Sequence, residues 1–209
     1  MNLPQSTFVK RIVPKEKFYT KTSVNTKLRQ LFTEEVEKIR WVNKISPDTL
    51  NITAVEYTEL QVFEITLKGA EISTAVLKHI DTFIPYPILF ILKKENALKA
   101  SISFKEPVNR SEHQMKVDTY FDTDWKQTMD LEIKGRSVDE IYRNFLFQIA
   151  PSLKETNQMN AKAAVETIKE KQALERQINA INKKLSSELS IAKKQELARE
   201  RHALEQKLY

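Results

Sequence analysis

The chain has 209 residues, a formal net charge of +6, no cysteine and two glycines. Without cysteine there are no disulfides, thiolate–metal sites or cysteine nucleophiles, and Gly69 and Gly135 alone cannot build a glycine-rich phosphate loop. Hydrophobic residues at 41 % and charged residues at 30 % describe a foldable, helix-rich chain, and the length suits one domain with an appendage.

Charge is distributed unevenly: residues 1–50 carry +5, residues 51–154 carry −2, and residues 155–209 carry +3. Residues 1–25 contain Pro4 and Pro14, lack periodicity and are predicted to form an extended basic arm. A helix is expected over residues 27–44, capped by Asn25 or Thr26, with Leu28, Leu31, Phe32, Val36, Ile39 and Val42 on its buried stripe. Trp41 then lies on the far side of that helix, either packed under the arm or, between Arg40 and Lys44, free to stack on a base.

VEYTELQVFEITLKG alternates as a strand, with Gln61, Phe63, Ile65 and Leu67 on one face. Ser73 opens a short helix burying Val76, Leu77, Ile80, Phe83 and Ile84, which Pro85 and Pro87 end. ILFIL at 88–92 is apolar on both faces, as a central strand is. A turn at 94–96 leads to a strand in which Leu98, Ala100, Ile102 and Phe104 alternate with Lys99, Ser101, Ser103 and Lys105, the polar set being expected to face water. After a polar loop at 106–114, MKVDTYFDT and MDLEIKG read as two further strands. Ser137 and Glu140 form a capping box for a helix with Val138, Ile141, Tyr142, Phe145 and Ile149 inward, and Pro151 closes the domain. The fold expected over residues 26–152 is therefore α+β: a mixed, mostly antiparallel sheet with flanking helices.

Residues 155–209 form a coiled-coil-like helical tail. Apolar residues from Leu174 through Ile178, Ile181, Leu185 and Leu189 to Ala192 step by 4, 3, 4, 4 and 3, and Leu197 and Leu204 continue the seam. Such a polar helix is marginal alone, so the seam must be covered. One long helix that dimerises and an antiparallel hairpin bent near Ser186-Ser187 both satisfy it.

Three histidines (His79, His113 and His202) have no metal-ligand spacing, and no serine sits in a glycine-flanked elbow. No metal or cofactor is expected. One acidic set merits weighing as a metal-dependent nuclease: Glu64, Lys68, Asp81 and Lys105. Glu64 and Lys68, however, lie about 13 Å apart along an extended strand, too far for one ion site. A charged outer sheet face is the simpler reading. Lys10, Arg11, Lys15, Lys17, Arg40 and Lys44 are the candidates for nucleic-acid backbone contact. The N-terminus has no signal-like apolar stretch, and the apolar run at 86–92 is too short to span a bilayer, so a cytoplasmic protein is expected.

The LPQST…VPKEKFY segment, the run from Trp41 to Asn51 (W-x-N-K-x-S-P-x-T-L-N), ELQVFEITLKG, ISFKEP and the IYRNFLFQI helix together resemble the bacterial domain of unknown function 4391. The resemblance carries no activity and no catalytic residues. It implies an association with loci encoding DNA methyltransferases and helicases of restriction or phage-defence type. The expected function is a non-catalytic adaptor in such a system, docking protein partners or a second copy through Ile178, Ile181, Leu185, Leu189, Leu197 and Leu204. The alternatives are a metal-dependent nuclease and a free-standing DNA-binding module.

Overall fold

A computed structural model describes residues 3–20, 24–108, 115–155 and 161–208. Contacts divide the chain into two units, residues 1–151 and 152–209.

The first unit is a six-stranded sheet ordered β1-β2-β3-β4-β5-β6. The strands are β1 (Phe8–Val13), β2 (Val36–Ile45), β3 (Leu60–Leu67), β4 (Ile88–Lys94), β5 (Ala97–Pro107) and β6 (Met115–Asp122). Neighbours are antiparallel except β3 and β4, which are parallel because α2 (Thr74–Phe83) crosses between them. The α+β architecture with a mixed, mostly antiparallel sheet is thus as read from the sequence. α2 and α1 (Thr26–Glu35) cover one face, where Phe32, Val36, Ile39, Phe63, Ile65, Val76, Leu77, Ile80, Ile88 and Phe90 form a continuous core. α3 (Val138–Ile149) packs on β5 and β6, its inward stripe wholly buried. Its N-terminus is built as the sequence implies: Ser137 accepts from the Glu140 amide at 3.1 Å, and the Glu140 carboxylate accepts from the Arg136 amide at 2.8 Å.

Four local expectations need correction. The helix that starts at Thr26 stops at Glu35, and residues 36–45 are strand β2. Register shifts at Val36/Lys38 and Trp41/Asn43 mark β-bulges, and the first stretches the inward spacing from Val36 to Ile39 to three residues. A bulged strand thereby imitates one helical turn, while Val36, Ile39, Val42 and Ile45 supply the β-branched content that favours the strand. The segment read as a basic arm contributes β1, paired antiparallel with β2 as a sheet edge. The polar face of β5 is not wet: Ser101, Ser103 and Lys105 are fully buried. MDLEIKG is extended and does bury alternate residues (Met129 and Leu131), yet it forms no ladder. The backbone of Glu132 is held instead by the side-chain amide of Gln148, which accepts from its N–H and donates to its carbonyl, both at 2.9 Å.

The second unit comprises α4 (Ser152–Glu155), α5 (Ala161–Ser187) and α6 (Ile191–Glu205). α5 and α6 form an antiparallel hairpin: Arg201 reaches Asn182 at 3.4 Å, and Leu208 shares a groove with Glu175 and Ile178. Of the two tail arrangements, the hairpin is the one adopted. It turns without glycine or proline. Ser186 and Ser187 donate to the carbonyls of Lys183 and Lys184, and the Glu188 carboxylate accepts from the amides of Leu189 and Ser190 at 3.0 Å. Those amide hydrogen bonds, Ser190 first, hold the Glu188 carboxyl below its ordinary pKa.

Candidate functional site

The densest concentration of buried polar chemistry lies between α2, β5 and β6. Asp81 and Lys105 are both fully buried, and Lys105 Nζ stands 3.0 Å from Asp81 Oδ1. The other carboxylate oxygen accepts from Ser103 Oγ at 2.5 Å and from Tyr120 Oη at 2.7 Å. Lys105 also donates to the carbonyls of Asp81, Ile84 and Tyr86, at 2.5, 2.5 and 2.9 Å. Two of these belong to the last turn and C-cap of α2, where free carbonyls and the negative end of the helix dipole require a donor. Burial lowers the Lys105 pKa, and Asp81 opposes that fall.

A layer of tyrosines encloses the pair. Tyr142 Oη donates to the Ser103 carbonyl and accepts from the Lys105 amide, both at 2.7 Å, bridging the β5 backbone where its register with β6 shifts. Tyr57 Oη donates to the Lys105 carbonyl at 2.7 Å. Burial raises the pKa of Tyr57, Tyr120 and Tyr142 above the ordinary phenol value. Both carboxylate oxygens of Asp81 and the Lys105 ammonium are engaged by protein groups, the three ammonium N–H groups being shared among four acceptors, so the cluster is built as a cap and strut.

The four residues of the nuclease reading do not converge. Asp81 and Lys105 meet, but Glu64 pairs in register with Arg40 and Ile91 on the sheet face opposite α2 and makes an ion pair with Arg40 at 3.7 Å. Lys68 donates to the Thr33 carbonyl at 2.8 Å, in the last turn of α1. Among the described residues no group of three or more His, Asp or Glu side chains is placed to hold a metal ion.

The basic candidates separate in the same way. Lys15 donates to the carbonyls of Val36 at 2.9 Å and Phe32 at 3.4 Å, so it too caps α1; burial and then Lys68 lower its pKa. Lys44 is engaged by Glu59 at 3.0 Å, which raises its pKa, and Arg40 by Glu64. Lys10, Arg11 and Lys17 remain exposed on β1 and the turn after it, with Lys10 Nζ 4.4 Å from the Phe8 ring centroid. Trp41 is half-buried on the helix-covered face, stacked on Phe63 at 6.4 Å with its indole N–H donated to the Asn43 carbonyl. It packs rather than reads a base.

His79 is half-buried, in contact with the Phe18 carbonyl and edge-on to the Phe32 ring. His202 is exposed in α6, and His113 lies outside the described residues. On the hairpin, Ile181 is buried, and Ile178, Leu185, Leu197 and Leu204 are half-buried. Leu189 at the turn is 93 % exposed and its neighbour Ile191 is 74 % exposed. Ser103, Tyr57, Tyr120 and Tyr142 had no distinguishing pattern in the sequence. The sequence placed Tyr142 only as part of the inward stripe of α3, and Ser103 and Lys105 only on a face expected to meet water.

The model of a family described as a domain of unknown function (DUF4391) matches residues 1–208. The chain belongs to this family. No curated protein and no solved structure matches it. No helix among the described residues is long and apolar enough to cross a membrane.

Proposed function

We propose that this DUF4391 protein is a non-catalytic adaptor, serving a DNA methyltransferase–helicase system of restriction or phage-defence type. The hairpin tip docks a protein partner, and exposed Lys10, Arg11 and Lys17 approach a nucleic-acid backbone. The observation that carries this reading is the pair Leu189 and Ile191, large aliphatic side chains left in water at the turn while the seam below them is covered by its own hairpin. Large apolar side chains clustered in water mark interaction surfaces more often than catalytic ones. Of the four residues of the nuclease reading, Lys68 and Lys105 cap helices, Asp81 pairs with Lys105 and Glu64 pairs with Arg40.

The test is affinity isolation of the tagged full chain from cells carrying its neighbouring genes, beside the Leu189→Ser/Ile191→Ser double variant. The wild type recovers a stoichiometric partner and the variant loses it. Equal recovery by both, or a wild type that recovers nothing, contradicts the proposal. Salt dependence of DNA binding checks the second contact, since phosphate contacts release counterions and weaken steeply as salt rises.

A further inference from the structure

β3 and β4 run parallel, so their carboxyl ends open at the same end of the sheet. There, between the loop that follows β3 and the turn that follows β4, lies a cleft of about 400 Å³ lined by Ala70, Glu71, Lys94, Glu95, Trp125 and Gln127. That volume is within the range of small-ligand pockets. Trp125 is fixed by its neighbour Lys126, whose backbone exchanges hydrogen bonds with Leu98 at 2.7 and 2.9 Å. The Trp125 indole N–H is donated to Glu71 Oε1 at 3.3 Å, which holds the carboxylate at the edge of a ring that is half-buried against the core.

The cleft already draws positive charge. Lys99 Nζ sits 5.9 Å from the Trp125 ring centroid, 3.9 Å from Glu71 and 3.7 Å from Asp122. Those carboxylate distances are long for charge-assisted hydrogen bonds, and the Glu71 side chain is 66 % exposed. Glu71, Glu95 and Asp122 outnumber Lys94 and Lys99, leaving one excess negative charge at an aromatic surface. A phosphate-bearing ligand meets repulsion there; a cation does not. A guanidinium group suits the site better than an ammonium, because it is flat enough to lie on an indole while its fork engages a carboxylate with two parallel bonds.

We infer that the Trp125 cleft receives an arginine side chain from a partner protein, stacked on Trp125 and paired with Glu71. Only residues of the first unit take part, so the inference stands or falls separately from the hairpin tip. The test is a nitrogen–proton correlation spectrum of the isotope-labelled full chain, in which the two indole N–H signals (Trp41 and Trp125) are distinguished by Trp41→Phe. The probes are blocked Gly-Arg-Gly and Gly-Lys-Gly tripeptides and guanosine monophosphate.

Arginine peptide is expected to shift the Trp125 signal saturably, to leave Trp41 unmoved, and to bind at least about fivefold more tightly than the lysine peptide. Glu71→Gln should weaken it by about tenfold while the Trp41 signal, unchanged, reports an intact fold. Absence of a saturable Trp125 shift overturns the inference, as do equal affinities for the two peptides, indifference to Glu71→Gln, or a response to the nucleotide alone.

Discussion

Replacing Lys105 by methionine keeps most of the side chain's length, short by one atom, and removes its charge and donors. In the folded chain this leaves the Asp81 carboxylate with Ser103 and Tyr120 only, and the carbonyls of Asp81, Ile84 and Tyr86 without a side-chain donor. Breaking one side of a buried ion pair costs about 3–5 kcal/mol, and each buried acceptor left unmet about 1–3 kcal/mol before relaxation. The lower ends of these ranges total about 6 kcal/mol; because Asp81 can take up a proton and the end of α2 can shift, the expected loss is smaller, about 4 kcal/mol. Urea unfolding followed by far-ultraviolet circular dichroism measures it. Asp81→Asn, which retains an acceptor for Ser103 or Tyr120, should cost less, and the double variant should cost less than the two single losses added together. A Lys105→Met protein within 1 kcal/mol of wild type would refute the assignment of this pair to capping and bracing.

Further outcomes follow from the same geometry. Buried Tyr57 and Tyr142 and half-buried Tyr120 have folded pKa values raised above the ordinary 10.0, so the stability they confer is present below pH 10 and is lost as pH climbs beyond it. Absorbance at about 295 nm should show Tyr57, Tyr120 and Tyr142 ionising only with unfolding, and ionisation of these three ahead of unfolding would contradict their enclosure. Lys15→Met should lower stability by about 1 kcal/mol through the α1 carbonyls, whereas Lys17→Met should leave stability unchanged and weaken only DNA retention. Gly135 has φ +141°, and a Cβ there would lie 2.7 Å from the Glu140 Cβ, so Gly135→Ala should cost about 1–3 kcal/mol in the same urea assay.

The three capping lysines explain much of how this sequence reads. Helices commonly end on a glycine in the left-handed conformation, and this chain has no glycine to give either α1 or α2. Lys15 and Lys68 supply donors at the end of α1, and Lys105 does so at the end of α2. Cations drawn from distant strands and turns therefore look, in one dimension, like a nucleic-acid surface or a catalytic set. Their partners are backbone carbonyls, which no sequence pattern names. The strands with strict alternation, β3 and β5, were legible, as were the apolar β4 and the capped α3. β2 was not, because its bulges break the period of two. The second face of β5 was misjudged because serine and lysine are normally outward residues; Asp81 inside α2 partners Ser103 and Lys105, while Ser101 is buried beside them with no hydrogen-bond partner for its hydroxyl among the described residues. The hairpin seam was legible at Ile178, Ile181 and Leu185, but its bend rests on side chains that bond their own backbone, Ser186, Ser187 and Glu188.

Melting temperatures of Lys105→Met and Leu189→Ser/Ile191→Ser, measured side by side, separate the buried polar groups that hold the fold from the exposed side chains proposed to dock a partner. A loss of about 4 kcal/mol predicts a fall of roughly 8–16 °C for Lys105→Met in a chain of this size, and no fall for Leu189→Ser/Ile191→Ser. A low-melting tip variant, or a Lys105→Met protein that melts with wild type, would contradict that separation.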